Sequence, residues 1–156
     1  MEYLVGISLA LGVSLFGRFS GFERDRAFYP TMTVVIAATY ELFAIMGGYT
    51  NALSLESAVF AMFALAAVVG FKRNLWIIVG ALAGHGVFDL AHPHLIANPG
   101  VPAWWPTFCM TYDISAALYL AWLLNRCSLS ACMPDHRNLH EVKAGDLPSD
   151  GHSIRS

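Results

Sequence analysis

Charge is what this sequence has least of. Asp, Glu, Lys and Arg make up 13% of its 156 residues, against about 25% in an ordinary soluble domain. The formal net charge is −2, and no basic patch is present to hold nucleic acid. Lys and Arg are missing altogether from 27–71 and from 74–125. Three cysteines are too few for a disulfide framework: Cys109 sits in an apolar run, and Cys127 and Cys132 lie in the polar C-terminal region. The first apolar segment has no basic residues before it, only Glu2, and no small-x-small cleavage site after it. It therefore reads as a membrane helix rather than a cleaved signal peptide. The H-E-x-x-H pattern of zinc proteases is absent, and no internal repeat stands out.

What remains is apolar. Hydrophobic residues make up 56% of the chain, and its mean hydropathy is +0.54. A membrane span needs about 20 such residues. Five segments reach or approach that length, at about 3–17, 28–48, 52–71, 75–91 and 104–124. Pro30 and Pro106 stand in first turns, where a missing N–H costs little. Gly47-Gly48-Tyr49-Thr50-Asn51 marks a tight turn, and Pro93 with Asn98-Pro99-Gly100 is expected to break the helical pattern. The expected fold is all-α: an integral membrane bundle of five transmembrane helices over 1–125. Residues 126–156 read as a flexible cytoplasmic tail.

The nine Lys and Arg occupy the 18–26 loop, the 72–73 loop and the region from 126 onward. With five spans these all fall on one side. The positive-inside rule makes that side cytoplasmic, so the chain is expected N-out and C-in, in the cell (inner) membrane. Tyr3, Tyr49, Trp104 and Trp105 fall at the outer interface, and Phe28, Tyr29 and Trp76 at the inner one, as aromatic belts do.

Ionisable groups inside spans are expensive and mark functional sites. Here they are Glu41, Glu56, His85, Asp89 and Asp113, with His92 and His94 at the outer end of the fourth span. Counting helical rise from the outer ends puts Glu41 and His85 roughly 10 Å deep, Glu56 roughly 7 Å, Asp89 roughly 5 Å and Asp113 roughly 13 Å. One shared site in the outer half is expected. His85, Asp89 and His92 have i, i+4, i+7 spacing and share a helical face, as do Cys109 and Asp113. Two imidazoles and a carboxylate on one face, met by further carboxylates, suit zinc or another divalent transition metal. The expected ligands are His85, Asp89, His92 and Asp113. Asp113 is fourth ligand or general base, and Glu41 has a supporting catalytic role. The same groups also suit a polar network that ties the helices together. Glu56, near a helix start, has a plainer reading against the helix dipole, snorkelling outward. Cys109 reads as a small buried residue, Tyr112 and Trp105 as packing or interface residues, and His94 as solvent-facing. No specific role is expected of His136, His140 and His152 in the tail.

The runs RDRAFYP (24–30), HGVFD (85–89) and NPGVPAWWPTFC (98–109), with Tyr112-Asp113, resemble a family of small bacterial multi-spanning membrane proteins of unknown function. The resemblance covers about 20–125. It implies a multi-span fold and marks 85–113 as the signature region, and it implies no activity. In chemistry alone, the His/Asp set is similar to that of zinc-dependent membrane hydrolases of the alkaline ceramidase and adiponectin-receptor type. This chain has five rather than seven spans and no clear Ser partner for the set.

Two functions of different class follow. The first is a metal-dependent, lipid-directed membrane hydrolase. The alternative is a small proton- or cation-handling transporter, which with five spans would work as a homo-oligomer or within a larger membrane complex. A non-catalytic accessory subunit is a third possibility. Membrane lipids are the expected surroundings in every case.

Overall fold

The computed structural model describes residues 1–126, and the expected tail from 127 onward lies outside them. Among the described residues the fold is all-α, 85% helical and without strands. Five helices follow one another: α1 (Glu2–Ser20), α2 (Phe28–Gly47), α3 (Thr50–Lys72), α4 (Trp76–Leu95) and α5 (Trp105–Arg126). A single 3₁₀ turn, Phe22–Arg24, joins α1 to α2. The short turns have visible causes. Gly48, at φ 70°, ends α2 in the left-handed conformation. Its N–H and that of Tyr49 return to the carbonyls of Ile45 and Ala44. Gly21, at φ 82°, ends α1 in the same way.

Four helices, α1, α2, α3 and α5, are long and apolar enough to cross a membrane. Their outward faces carry Leu4, Leu15, Phe16, Val35, Leu42, Ile45, Leu55, Leu65 and Leu118, all exposed. A water-soluble bundle would make those faces polar, so the surface is consistent with a membrane protein. The expected fourth span is the exception. α4 carries His85, Asp89, His92 and His94, which lower its hydropathy, and it packs against α2, α3 and α5. The helix that carries these ionisable groups is thus packed against three others.

Pro93 does not end α4 as the sequence led us to expect. The helix runs through it to Leu95, closing with the Ile96 N–H on the His92 carbonyl at 2.9 Å. Near a helix end Pro removes one hydrogen bond, that to the carbonyl four residues earlier, and the turn survives. Here that carbonyl belongs to Asp89.

Consecutive helices joined by short connections run antiparallel. Arg18, Arg24, Arg26, Lys72, Arg73 and Arg126 therefore gather at one end of the bundle. The opposite end, with the 48–50 turn and the 96–104 loop, has none among the described residues. Buried small residues let helices approach closely. α1 buries Gly6, Ala10, Ser14 and Gly17 and packs against α5, with Gly6 set against Thr111 and Phe108 while Gly17 sits against the Phe28 ring of α2. A Cβ on Gly6 would strike the Thr111 hydroxyl and lie 2.7 Å from the Phe108 carbonyl oxygen. Gly86 does the same service for α4 against Ile114 and Asp113 of α5.

Gly6→Ala should therefore unseat α1 from α5. We expect a loss of about 1–3 kcal/mol, read as a lower midpoint of thermal unfolding in detergent. Gly12→Ala, where a Cβ meets nothing within 4 Å, should leave the midpoint in place.

Candidate metal centre

The centre is built from three helices. The buried stripe of α4 includes Ile78, Leu82, His85, Asp89 and His92, at spacings of three and four. α5 contributes Asp113, in a buried series with Cys109, Ala116 and Ala117. α2 contributes Tyr40, from the series Thr33, Ala37, Tyr40 and Ala44.

His85 Nδ1 stands between two carboxylates, 2.7 Å from Asp113 Oδ2 and 3.6 Å from Asp89 Oδ2. The Tyr40 hydroxyl donates to Asp89 Oδ1 at 2.8 Å. His85 is 1% exposed, and Asp89 and Asp113 are 0% exposed. Three polar atoms of this group, His85 Nε2, Asp89 Oδ2 and Asp113 Oδ1, have no hydrogen-bond partner among the described residues. Buried polar atoms are ordinarily paired, and each unpaired one costs about 1–3 kcal/mol. Potential ligand atoms of His85, Asp89 and Asp113 lie within 4.8 Å of one another, close enough for one metal ion to hold all three. Charge leads the same way. Two carboxylates face a single imidazole here, so negative groups outnumber the one basic group beside them, and a divalent cation would redress that balance. Apolar rings enclose the group: Phe63 lies edge-on to His85 at 4.8 Å, and Phe88 sits at 6.1 Å.

The other expected residues fall elsewhere. His92 shares the α4 face with His85 but lies seven residues along, roughly 10 Å of helical rise. There its Nε2 donates to Glu56 Oε1 at 2.8 Å, and its ring stacks on Tyr40 at 4.0 Å. The structure does not group His92 with His85, Asp89 and Asp113. Glu56 does not snorkel. It is 2% exposed, and Asn98 Nδ2 donates to it at 3.0 Å and to the Tyr40 carbonyl at 3.2 Å. Glu41 is half-buried between α2 and α3, where it accepts from the Ser57 hydroxyl. It is turned about 100° from Tyr40, its neighbour in sequence. Cys109 is a buried free thiol, and Tyr112 is buried beside Asp113. Trp105 is half-buried and His94 exposed.

Tyr40 and Asn98 are the residues that sequence reasoning missed. Tyr40 was legible as a member of the Thr33, Ala37, Tyr40, Ala44 stripe. Asn98 looked like turn chemistry, and its side-chain oxygen and carbonyl do shape the turn, accepting from the N–H groups of Gly100 and Val101. Nothing local signals its reach to Glu56.

A cavity of about 400 Å³ lies under the 96–104 loop, lined by His92, Ile96, Asn98, Val101 and Pro106 among others. Two further grooves run between α2 and α3 and between α1 and α5. Their linings are almost wholly apolar, and they include none of the ionisable residues above.

No protein-family model, no characterised protein and no solved structure matches this chain.

Tyr40→Phe removes the only hydrogen bond to Asp89 Oδ1 among the described residues while keeping the ring against His92. It should lower unfolding stability in detergent by about 1–3 kcal/mol, with the helical content by circular dichroism unchanged.

Proposed function

We propose that this chain is a five-span protein of the cell (inner) membrane, N-out and C-in. In this reading it holds one divalent transition metal ion on His85, Asp89 and Asp113 in the outer half of the bilayer. The observation that carries this is the fully buried cluster of His85, Asp89 and Asp113, which offers one potential ligand atom from each residue within 4.8 Å of the others and leaves three of its polar atoms without a partner among the described residues. One imidazole nitrogen and two carboxylate oxygens suit zinc and its divalent neighbours.

Three protein ligands leave coordination positions free, and such a metal activates water and polarises carbonyl groups. The chain's own residues supply the rest. Tyr40 fixes the rotamer of Asp89 through its hydroxyl, as residues around metal ligands do. Phe63 and Phe88 keep bulk water from His85. A lipid-directed hydrolase acting on outer-leaflet ester or amide substrates fits a centre at this depth. Transport fits less well. The ionisable groups of α2 to α5 concentrate toward the loop end, and none continues them along the bundle toward the Lys- and Arg-bearing end.

Elemental analysis of the detergent-purified protein tests the centre. One zinc, iron, manganese or cobalt ion per chain is expected, and it should be lost in His85→Ala and in Asp113→Asn. His92→Ala should keep it. Folded wild-type protein without metal would refute this function and leave the cluster as a proton-sharing network.

The topology has its own test. With Cys127 and Cys132 replaced by Ser, a Cys at Tyr49 should react with a membrane-impermeant thiol reagent in intact cells. A Cys at Asn74 should react only after the membrane is opened. The reverse pattern would invert the orientation.

A further inference from the structure

The proposed centre raises a problem of access. Its ligands are 0–1% exposed, so an ion must pass through protein to reach them. Phe63 and Phe88 close the α3 side of His85 with apolar rings, and Ile114 packs against Gly86 from α5. One side is polar. There Tyr40 donates to Asp89 with its hydroxyl and lies flat on His92 with its ring. His92 in turn lines the cavity under the 96–104 loop.

The cavity itself is lined mostly by apolar residues, with His92 and Asn98 as its polar members. Glu56, buried at 2% and outside the lining, holds a carboxylate against the His92 Nε2. No Lys or Arg lines it, and none lies at that end of the bundle among the described residues. An imidazole and a carboxylate 2.8 Å apart are two ligands of the type that borderline divalent metals take. His92 comes three residues after Asp89, roughly 4.5 Å further along the helix. Pro93 leaves the Asp89 carbonyl without its helical donor, which loosens the turn between the two positions.

We infer that His92, which lines the 96–104 cavity, and Glu56, hydrogen-bonded to it, form a second, transient cation site beside that cavity. A divalent ion pauses there before passing the Tyr40 ring to His85, Asp89 and Asp113. The inference rests on the metal centre proposed above. The pair differs from that centre in kind. Its members satisfy each other without an ion, so the site holds metal weakly and releases it inward.

Stopped-flow loading of metal-stripped, full-length protein with Co²⁺ tests this, following the visible absorption of the bound ion. The wild type should load one Co²⁺ per chain. Glu56→Gln keeps the hydrogen bonds of Asn98 and His92 within reach but removes the charge that draws the ion in. Its association rate should fall by about tenfold, and its release into chelator should slow to match, with the same final occupancy. Val101→Trp, which fills the cavity while leaving every polar side chain of the chain in place, should slow both rates likewise. If both variants load at the wild-type rate, the entry site is wrong and the centre stands. If Glu56→Gln reaches a lower final occupancy, Glu56 belongs to the resident centre and the staging role is wrong. If the wild type takes up no Co²⁺, the centre itself falls and the entry site falls with it.

Discussion

Two carboxylates and an imidazole buried in the middle of an apolar bundle are the constraint to which the rest of this structure answers. Removing an ion from water costs several kcal/mol even after relaxation. A chain with so little charge has few ways to offset that cost. It uses geometry. His85 is set between Asp89 and Asp113, and Tyr40 reaches from another helix to the oxygen that His85 does not approach. α4, which carries most of this burden, packs against three other helices. α1, α2, α3 and α5 are long and apolar enough to cross a membrane, and the outward side of α4 is apolar too, with Val87, Leu90 and Leu95 exposed.

The helices were legible because nothing interrupts them. Between positions 27 and 71 no Lys or Arg occurs, and only the glycine turn at 47–48 divides the run. Ends were less legible. α1 extends to Ser20, past the apolar run into Arg18, because a helix end tolerates a basic residue near its last carbonyls. α4 extends past Pro93 because a proline at the last turn deprives the helix of a single bond.

The centre was half legible. Spacing put His85 and Asp89 on one face, and depth counting matched Asp113 to them. The same spacing rule brought in His92, and here periodicity alone misleads. Residues at i and i+7 share a face, but they are two turns apart, and one ion does not span that rise. Glu41 was drawn in by depth without regard to azimuth. The stripe of Thr33, Ala37, Tyr40 and Ala44 points Tyr40 inward and so turns Glu41 toward α3 and Ser57. Glu56 was undervalued for the converse reason. Its place near a helix start suggested an outward tilt, but the buried series Ala52, Glu56, Phe63 and Ala67 fixes it on the inner face. The contact from Asn98 spans 42 residues of sequence, and no local pattern encodes such a distance.

The two polar groups on α4 are built on opposite principles. Around Glu56, the His92 ring and the Asn98 amide both donate to Oε1. One carboxylate there meets one imidazole and one amide, and none of their atoms is among the buried polar atoms left without a partner among the described residues. Around His85 the count does not close. Two carboxylates compete for the same imidazole nitrogen, and an oxygen on each is left unpaired along with His85 Nε2. If helix cohesion were the only demand, a second polar group as self-sufficient as the Glu56 pair would meet it at lower cost. A buried group left short of partners, with two carboxylates to one imidazole, is instead suited to an exchangeable positive charge. That contrast within a single helix, twenty residues long, is the strongest argument for assigning ion binding to His85, Asp89 and Asp113 and a different task to His92.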